Sequence, residues 1–239
     1  MHPRSEQNPG SSKDSLPAAR GQRVTAVQQI YAELRARIVD LTLPPGAPIS
    51  KKEIAERFGV SQTPVREALI LLEEEGLVDI FPQSRTVVSF IDVQSAREAH
   101  VLRRSVEVEI ARILAARLTE IELIDLRAIL QRQSVFLRAG DLAAFAEADN
   151  ELHRRMYELA DVAGLWDIVR ARRVHLDRLR NLHLPSKGKA SSILREHKRI
   201  LDCLALRDPD AAEIAVREHL RGTVSATGQI RAHFPEYFE

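Results

Sequence analysis

The chain has 239 residues, of which 44% are hydrophobic and 29% charged, a balance typical of a folded soluble protein that excludes a largely disordered one. The longest apolar run, Ala68–Leu72, is far shorter than the roughly 18 residues of a membrane span. No secretory signal is visible, and the single cysteine, Cys203, forms no internal disulfide. We therefore expect a cytoplasmic protein without membrane contact. The net charge of +1 neither requires nor excludes nucleic acid, so any DNA-binding function has to be argued from a local arrangement of residues.

The first 90 residues divide into an arm and a small helical module. Residues 1–22 are rich in Pro, Gly, Ser and charge and predict a disordered arm. Apolar periodicity and capping signals then predict three helices, and two β-rich runs predict a hairpin. The predicted ranges are 24–41, 51–58 and 62–75 for the helices, with Ser50 and Ser61 as caps, and 77–81 and 86–90 for the strands.

From about residue 93 onward the chain gives no further strand signal. Apolar residues at helical spacing, together with capping signals and glycine breaks, predict six helices with short connections, which implies antiparallel neighbours in a bundle. Their approximate ranges are 94–118, 120–138, 142–160, 164–183, 193–206 and 209–230. The predicted fold is mainly α, with a winged helix-turn-helix domain at 23–90 and an all-α antiparallel bundle at 91–239.

The two short helices joined by Phe58-Gly59-Val60-Ser61, with a hairpin after them, have the order of a winged helix-turn-helix. In that motif the second helix reads base edges in the major groove, here through Gln62, Thr63 and Arg66. Further contacts are expected to phosphates and, at the hairpin tip, to the minor groove: Arg35, Lys51, Lys52, Ser61 and Arg85. Such patterns also arise by chance, so a small helical module with ordinary surface charges is the alternative at this point.

Three runs in this module have a distinctive residue order: Leu34-Arg35-x-x-Ile38, Leu43-x-Pro45-Gly46 and Ser61-Gln62-Thr63-Pro64-Val65-Arg66-Glu67-Ala68-Leu69. They closely resemble the winged-helix domain of the GntR family of bacterial transcription regulators. Two features depart from the family pattern: Gln62 stands where Arg is usual, and Ser84-Arg85-Thr86 lacks the usual wing glycine. We expect DNA binding to survive with a changed base preference.

In the bundle, one aspartate and three histidines stand out as candidate metal ligands. Asp149 and His153 lie four residues apart and share a helix face. His197 and His219 lie on the last two predicted helices, which an antiparallel arrangement can bring to one height. Such a set suits a divalent transition metal. An Asp–His pair at this spacing is more often a surface hydrogen bond, so composition alone leaves the metal open.

The bundle contains the motifs Arg103-x-x-x-Glu107, Asp149-x-x-x-His153, Glu196-His197 and Ala215-x-x-x-His219-Leu220. Together they resemble the FCD effector-binding domain, in its smaller, VanR-like six-helix branch. The resemblance implies that Asp149, His153, His197 and His219 hold a divalent ion, with Zn²⁺ first and Ni²⁺, Mn²⁺ or Fe²⁺ as alternatives. It also implies that Arg103 binds a small organic acid. An internal salt bridge to Glu107 is the other role for Arg103, and both can coexist.

The predicted function is a ligand-responsive transcription regulator, a repressor in the commoner arrangement. As a homodimer it would read a pseudo-palindromic operator in double-stranded DNA. One alternative is a constitutive DNA-binding dimer whose bundle is only structural. Another is a metal-dependent enzyme, which is disfavoured because the chain shows neither a nucleophile elbow nor a phosphate-binding loop.

Overall fold

The computed structural model of the protein describes residues 24–238, so the arm predicted at residues 1–22 lies outside the described part. The described chain forms a small N-terminal module and a larger helical bundle, which confirms the predicted fold class. Within residues 24–238 no helix has the length and apolar character needed to cross a membrane.

The N-terminal module consists of α1 (Ala26–Val39), α2 (Lys51–Phe58), α3 (Gln62–Glu74), β1 (Val78–Ile80) and β2 (Thr86–Val88). The apolar faces of α1 and α3 are buried against each other, as the fully buried Ile30, Ile38 and Leu69 show. The strands pair antiparallel with Val78 opposite Val88, which confirms the hairpin. A left-handed glycine, Gly59, ends α2 and lets the chain turn directly into α3.

The capping predictions at the two short helices have different outcomes. The Ser50 hydroxyl accepts a hydrogen bond from the Glu53 backbone N–H and begins α2 as expected. Ser61 occupies the N-cap position of α3, but its side chain makes no capping hydrogen bond, so that part of the prediction is wrong. The exposed Ser61 hydroxyl is therefore available to a partner outside the chain.

The larger region is built from helices alone: α4 (Val93–Arg117), α5 (Glu120–Ala139), α6 (Leu142–Leu159), α7 (Ala163–Arg172), α8 (Val174–His183), α9 (Lys189–Ala205), α10 (Pro209–Ser225) and α11 (Thr227–His233), followed by a 3₁₀ turn at Pro235–Tyr237. The capping signals at Thr119, Asp141 and Asp208 are confirmed, because each side chain accepts backbone N–H groups of the helix that it begins. Helices α4, α5, α6, α9 and α10 surround one apolar core.

The described residues of this region form eight helices, whereas six were predicted. The expected helix at 164–183 is interrupted at Arg173, whose guanidinium lies 4.7 Å from the ring of Trp166 and donates to Asn150 Oδ1 at 2.6 Å. The expected last helix is divided at Ala226 into α10 and α11. The break at Arg173 carries no glycine or proline, and the contacts of Arg173 with Trp166 and Asn150 account for it. Helix α9 also begins four residues earlier than predicted, at Lys189.

Helix α8 lies between the bundle and the N-terminal module. Its first residue, Val174, is buried in the apolar core of the module. The buried Arg178 donates to the backbone carbonyl of Ser89 at 2.7 Å, and Asn181 donates to the carbonyl of Val39 at 2.7 Å. One short helix of the bundle is thus tied to both the connection after β2 and the end of α1.

Candidate functional site

The predicted metal ligands come together in the interior of the bundle. Asp149 and His153 lie on α6, His197 on α9 and His219 on α10, and all four side chains are buried. Each offers one ligand atom, and these atoms lie within 4.8 Å of one another. The four residues are called the Asp/His cluster below. Because their polar side chains share one buried place, they require a common partner or mutual hydrogen bonds.

The Nε2 atoms of the three imidazoles point at a common centre. His219 Nε2 lies 3.2 Å from Nε2 of His197 and 3.2 Å from Nε2 of His153. Asp149 Oδ1 lies 3.5 Å from His197 Nε2 and has no hydrogen-bond partner, although it is buried. Ligands of a tetrahedral zinc ion, at about 2.0–2.1 Å from the metal, are about 3.3 Å apart. Three separations within the cluster are therefore close to those between the ligands of a bound zinc ion.

Two of the opposite ring nitrogens lie at hydrogen-bond distance from an acceptor: His197 Nδ1 is 2.8 Å from Gln133 Oε1, and His219 Nδ1 is 3.0 Å from Glu196 Oε2. His153 Nδ1 faces Glu107 Oε2 at 2.9 Å, but without the geometry of a hydrogen bond. An imidazole that donates from Nδ1 turns the lone pair of Nε2 toward the centre. Lone pairs facing each other at 3.2 Å repel unless a cation lies between them. The donor set therefore fits a divalent cation.

The charges at the cluster also suit metal binding. Burial alone would raise the pKa of Asp149, but the charge of Arg180, which contacts Asp149 Oδ2, together with those of His153, His197 and Arg103 outweighs it, so that the pKa lies well below its usual range. Burial lowers the pKa of His153 to about 4 and that of His197 well below its usual value. Near neutral pH the aspartate is thus anionic and these two imidazoles are neutral, which are the forms that coordinate metals.

Arg103 lies beside the cluster and makes the salt bridge that the sequence suggested. Its Nε lies 2.7 Å from Glu107 Oε1, and both side chains are buried. The Nη2 atom of Arg103 has no hydrogen-bond partner. Arg103 lines a cavity of about 20 Å³, which His219, Arg180 and Lys189 border as well. A buried guanidinium with one free donor beside this cavity can accept a carboxylate oxygen.

A second cavity, of about 80 Å³, lies next to the first and shares Arg180 and Lys189 with it. It reaches from Asp149 of the cluster to Val39 at the end of α1. Together the two cavities connect the surroundings of the Asp/His cluster with the N-terminal module. Neither is as large as the 300 Å³ or more of a typical ligand pocket, so a bound organic acid requires the walls to move.

A much larger cleft, of about 1100 Å³, lies between the module and the bundle. Five acidic side chains line it, against two arginines, Arg172 and Arg231, so that negative charge is in excess: Glu74, Glu75, Asp79, Asp92 and Glu98. Their charges disfavour an organic acid and the phosphates of DNA alike. The cleft is therefore a poor candidate for either of the predicted ligands.

The residues expected to read DNA lie together on one exposed face of the module. Gln62, Thr63 and Arg66 occupy the first turns of α3 and are exposed. Among the described residues Arg66 makes no ion pair, which leaves its guanidinium available to a base or phosphate. The residues expected at phosphates and at the wing are exposed or half-exposed: Lys51, Lys52, Ser61 and Arg85.

Arg35 is placed differently from the sequence expectation. Only 12% of its side chain is exposed, and its Nε lies 2.7 Å from Glu75 Oε2. Its Nη2 donates to the backbone carbonyl of Arg170 at 3.3 Å, and Tyr31 also donates to Glu75. The expected phosphate contact conflicts with this position, because the guanidinium is engaged between α1, α3 and α7.

The structure also identifies site residues that the sequence did not single out for this role. Gln133 and Glu196 orient two of the imidazoles, and Arg180 holds the aspartate. Glu196 directly precedes His197 and could have been suspected from that position. Gln133 and Arg180 carry no local signal, since each meets its partner across the bundle.

Comparisons with known proteins were made for both regions. The family model described as bacterial regulatory proteins, gntR family, matches residues 26–88, and the model described as FCD domain matches residues 98–222. The HTH-type transcriptional repressor RspR of Escherichia coli K12 is 35% identical over 88% of this chain and 92% of its own. An uncharacterized HTH-type transcriptional regulator in an unstable DNA locus of Streptomyces ambofaciens is 37% identical over 88% and 89%.

The fold is similar to that of solved structures. McbR/YncC of E. coli superimposes with a TM-score of 0.72 over 87% of this chain and 99% of the other, at 20% identity. At that level of identity, the likeness bears on the fold alone. It agrees with the arrangement of a helix-turn-helix module and a helical bundle described above.

Proposed function

The chain belongs to the GntR family of bacterial regulatory proteins and carries an FCD domain; from this premise we propose that it is a cytoplasmic, homodimeric repressor that leaves its operator when a small organic acid binds beside a metal ion in the bundle. The observation that carries the metal and ligand part is the Asp/His cluster, whose three Nε2 atoms converge while each Nδ1 faces its own acceptor. The printed name of the E. coli relative, a transcriptional repressor, supports repression rather than activation.

In this proposal Asp149, His153, His197 and His219 hold the divalent ion, Zn²⁺ in the first place and Ni²⁺, Mn²⁺ or Fe²⁺ as alternatives. The ion supplies a Lewis-acidic centre for carboxylate oxygens when bound. The acid is oriented by Arg103, which lines the adjoining cavity, has an Nη2 without a hydrogen-bond partner, and has its Nε fixed by Glu107. Fixing the guanidinium in advance reduces the entropy lost on binding.

Helix α8 is proposed to couple the ligand to DNA. An acid larger than the cavity of about 20 Å³ has to displace its walls, and Arg180 of α8 is one of them. The same helix holds the connection after β2 through Arg178. A ligand regulates only through different affinities for the DNA-competent and incompetent states. Movement of α8 is the change that would make these affinities differ.

The DNA-binding face is proposed to act as its motif does. Gln62, Thr63 and Arg66 read base edges in the major groove. Lys51, Lys52 and Ser61 contact phosphates, and Arg85 at the hairpin tip reaches the minor groove. Two such faces in a dimer, about one DNA turn apart, match a pseudo-palindromic operator.

The proposal is tested by selecting genomic DNA fragments with the purified protein at near-physiological salt and sequencing them. We expect one short palindrome to be enriched, stoichiometric metal in the dialysed protein, and release of the palindrome by organic acids. The His197→Ala variant should lose the metal and the response to acid, whereas His233→Ala, an exposed histidine outside the cluster, should keep both.

Two other outcomes would redirect the assignment. If the purified protein contains no metal but still enriches a palindrome, and if no acid releases the protein from it, a constitutive DNA-binding dimer is favoured. Turnover of an organic acid that is lost in His197→Ala would favour a metal-dependent enzyme. The family and the relatives are transcription regulators and not enzymes, which weighs against the second.

A further inference from the structure

Lys189 and Gly222 form an unusual pair next to the Asp/His cluster. Lys189 begins α9, and Gly222 lies inside α10, where glycine is unfavourable relative to alanine. A methyl group at Gly222 would lie 2.7 Å from Lys189 Nζ. Because that atom is the free end of a flexible side chain, the methyl group would displace the ammonium and leave the helix in place. The glycine therefore keeps room for the ammonium group.

The Lys189 ammonium is half-buried and makes no ion pair with any residue in the described part of the chain. It lines both cavities, together with Arg180. Across the smaller cavity, the buried Arg103 has a free donor at Nη2. Burial lowers the pKa of Lys189, which an anion bound next to it would oppose. Two cationic groups thus border one cavity with unused donors.

The pairing of the cationic side chains at the cavities indicates the ligand that fits. Arg180 is already paired with Asp149 and Asp177. Arg103 keeps an Nη2 without a hydrogen-bond partner, and Lys189 makes no ion pair among the described residues. Two separate cationic groups that border one small cavity, each with a donor that no residue accepts, match a ligand with two anionic groups.

We propose that Lys189, given room by Gly222, is a second anion subsite, and that the effector is a compact dianion with two carboxylates. One carboxylate lies at Arg103 and the Asp/His cluster, and the other at Lys189 and Arg180. The inference rests on the proposed effector site and adds to it the charge of the ligand and the residue that selects it.

The test uses the full-length, zinc-loaded protein and isothermal titration with matched acids: succinate against butyrate and glutarate against pentanoate. The dicarboxylates should bind at least about tenfold more tightly, since 1.4 kcal/mol, a modest gain for a charge-assisted contact, is tenfold in affinity. In Lys189→Gln this advantage should fall to about twofold or less. Lys198→Gln, an exposed lysine on the same helix, is the matched control and should change nothing.

Gly222→Ala provides the second variant. It should lose the preference for dicarboxylates as Lys189→Gln does, while the melting temperature without acid stays the same or rises, because alanine favours the helix. Gly228→Ala, at a glycine with open space around it, should leave the preference unchanged. Loss of the preference for dicarboxylates without loss of stability is a signature that a structural role for this pair does not produce.

Two outcomes would overturn the inference, and they differ in what they say of the effector site. If dicarboxylates keep their advantage in Lys189→Gln and Gly222→Ala, or if matched mono- and dicarboxylates bind alike to the unmodified protein, the second subsite is wrong and the effector site stands. If no acid of either series binds, and none releases the operator, the effector site itself is wrong.

Discussion

Arg178 and Arg180 lie two positions apart on α8 and contact different parts of the molecule. Arg180 contacts Asp149 of the Asp/His cluster, while Arg178 donates to the Ser89 carbonyl just after the hairpin. The Arg178 guanidinium is fully buried, and burial lowers its pKa to about 10. A buried charge with these contacts is costly to displace, so we expect a displacement of Arg180 to be passed through α8 to the connection after β2.

Asn181 offers the mildest way to weaken this connection, because its Nδ2 donates to the Val39 carbonyl at 2.7 Å. In Asn181→Ala we expect acid binding to be kept. The ratio of the operator affinity without acid to that with acid should fall about fivefold, because the lost hydrogen bond contributes about 1 kcal/mol. Fluorescence anisotropy with labelled operator measures the ratio. Gln131→Ala, an exposed amide on α5, is the control. An unchanged ratio in Asn181→Ala would exclude this contact from the coupling.

Removal of the metal should destabilise the bundle. With the ion at about a hundred times its dissociation constant, binding contributes about 2.7 kcal/mol, and for a chain of this size that corresponds to roughly 5–10 °C in melting temperature. We expect a chelator to lower the melting temperature by this amount and Zn²⁺ to restore it. Asp149→Asn should be low-melting and insensitive to chelator. If no divalent ion stabilises the dialysed protein, the Asp/His cluster does not bind a metal.

The sequence predicted those features that depend on neighbours in the chain. The capping signal at Thr119 and the left-handed glycine at Gly59 act within one helical turn, and both are observed. The break at Arg173, the hydrogen bond from His197 to Gln133 and the ion pair of Arg35 all depend on residues far away in sequence. No periodicity or spacing encodes such contacts, so only the folded chain identifies them.

His175 predicts a pH dependence of stability. Its Nδ1 accepts the Asp92 backbone N–H at 3.2 Å, and burial, assisted by the charge of Arg178, lowers its pKa to about 4. An unfolded histidine takes up its proton near pH 6.5. Between these values the unfolded state binds more protons, so stability is lost as the pH falls from about 6.5 to about 4, at up to about 1.4 kcal/mol per pH unit.

The His175→Asn variant isolates this contribution, because asparagine keeps a hydrogen-bond acceptor near the Nδ1 position and does not titrate. Denaturant unfolding at several pH values should show the wild type losing about 1.6 kcal/mol more than the variant between pH 6.5 and pH 5. The other histidines titrate equally in both proteins and cancel in the difference. Parallel pH curves would mean that His175 does not titrate in this range.

Arg66 should make the largest single contribution to operator binding, since it is exposed near the start of α3 without an ion pair among the described residues. Arg66→Ala should weaken specific binding by about 10- to 100-fold, corresponding to roughly 1–3 kcal/mol. Arg127→Ala, an exposed arginine on α5, should have no effect. Operator titrations with the wild type and both variants test this prediction. If Arg66→Ala binds the operator as tightly as the wild type does, α3 is not the recognition helix.

Glu75 is expected to restrain DNA binding, because it holds Arg35, a predicted phosphate contact whose side chain is only 12% exposed. Arg35 Nε lies 2.7 Å from Glu75 Oε2, and Tyr31 donates to the other oxygen. A phosphate would compete with this carboxylate for the guanidinium. Glu75→Gln keeps the size of the side chain and a hydrogen-bond acceptor but removes the charge. We expect this variant to bind both the operator and unrelated DNA about threefold to fivefold more tightly. The salt dependence of binding should become steeper by about one released counterion.

The matched control is Glu74→Gln, at the exposed neighbouring carboxylate, which makes no ion pair among the described residues and should change affinity little. If Glu75→Gln instead lowers the melting temperature and leaves both the DNA affinity and the salt dependence unchanged, Arg35 serves only to fix α1 against α3 and α7. In that case, the phosphate contacts of the module come from Lys51, Lys52 and Ser61 without it.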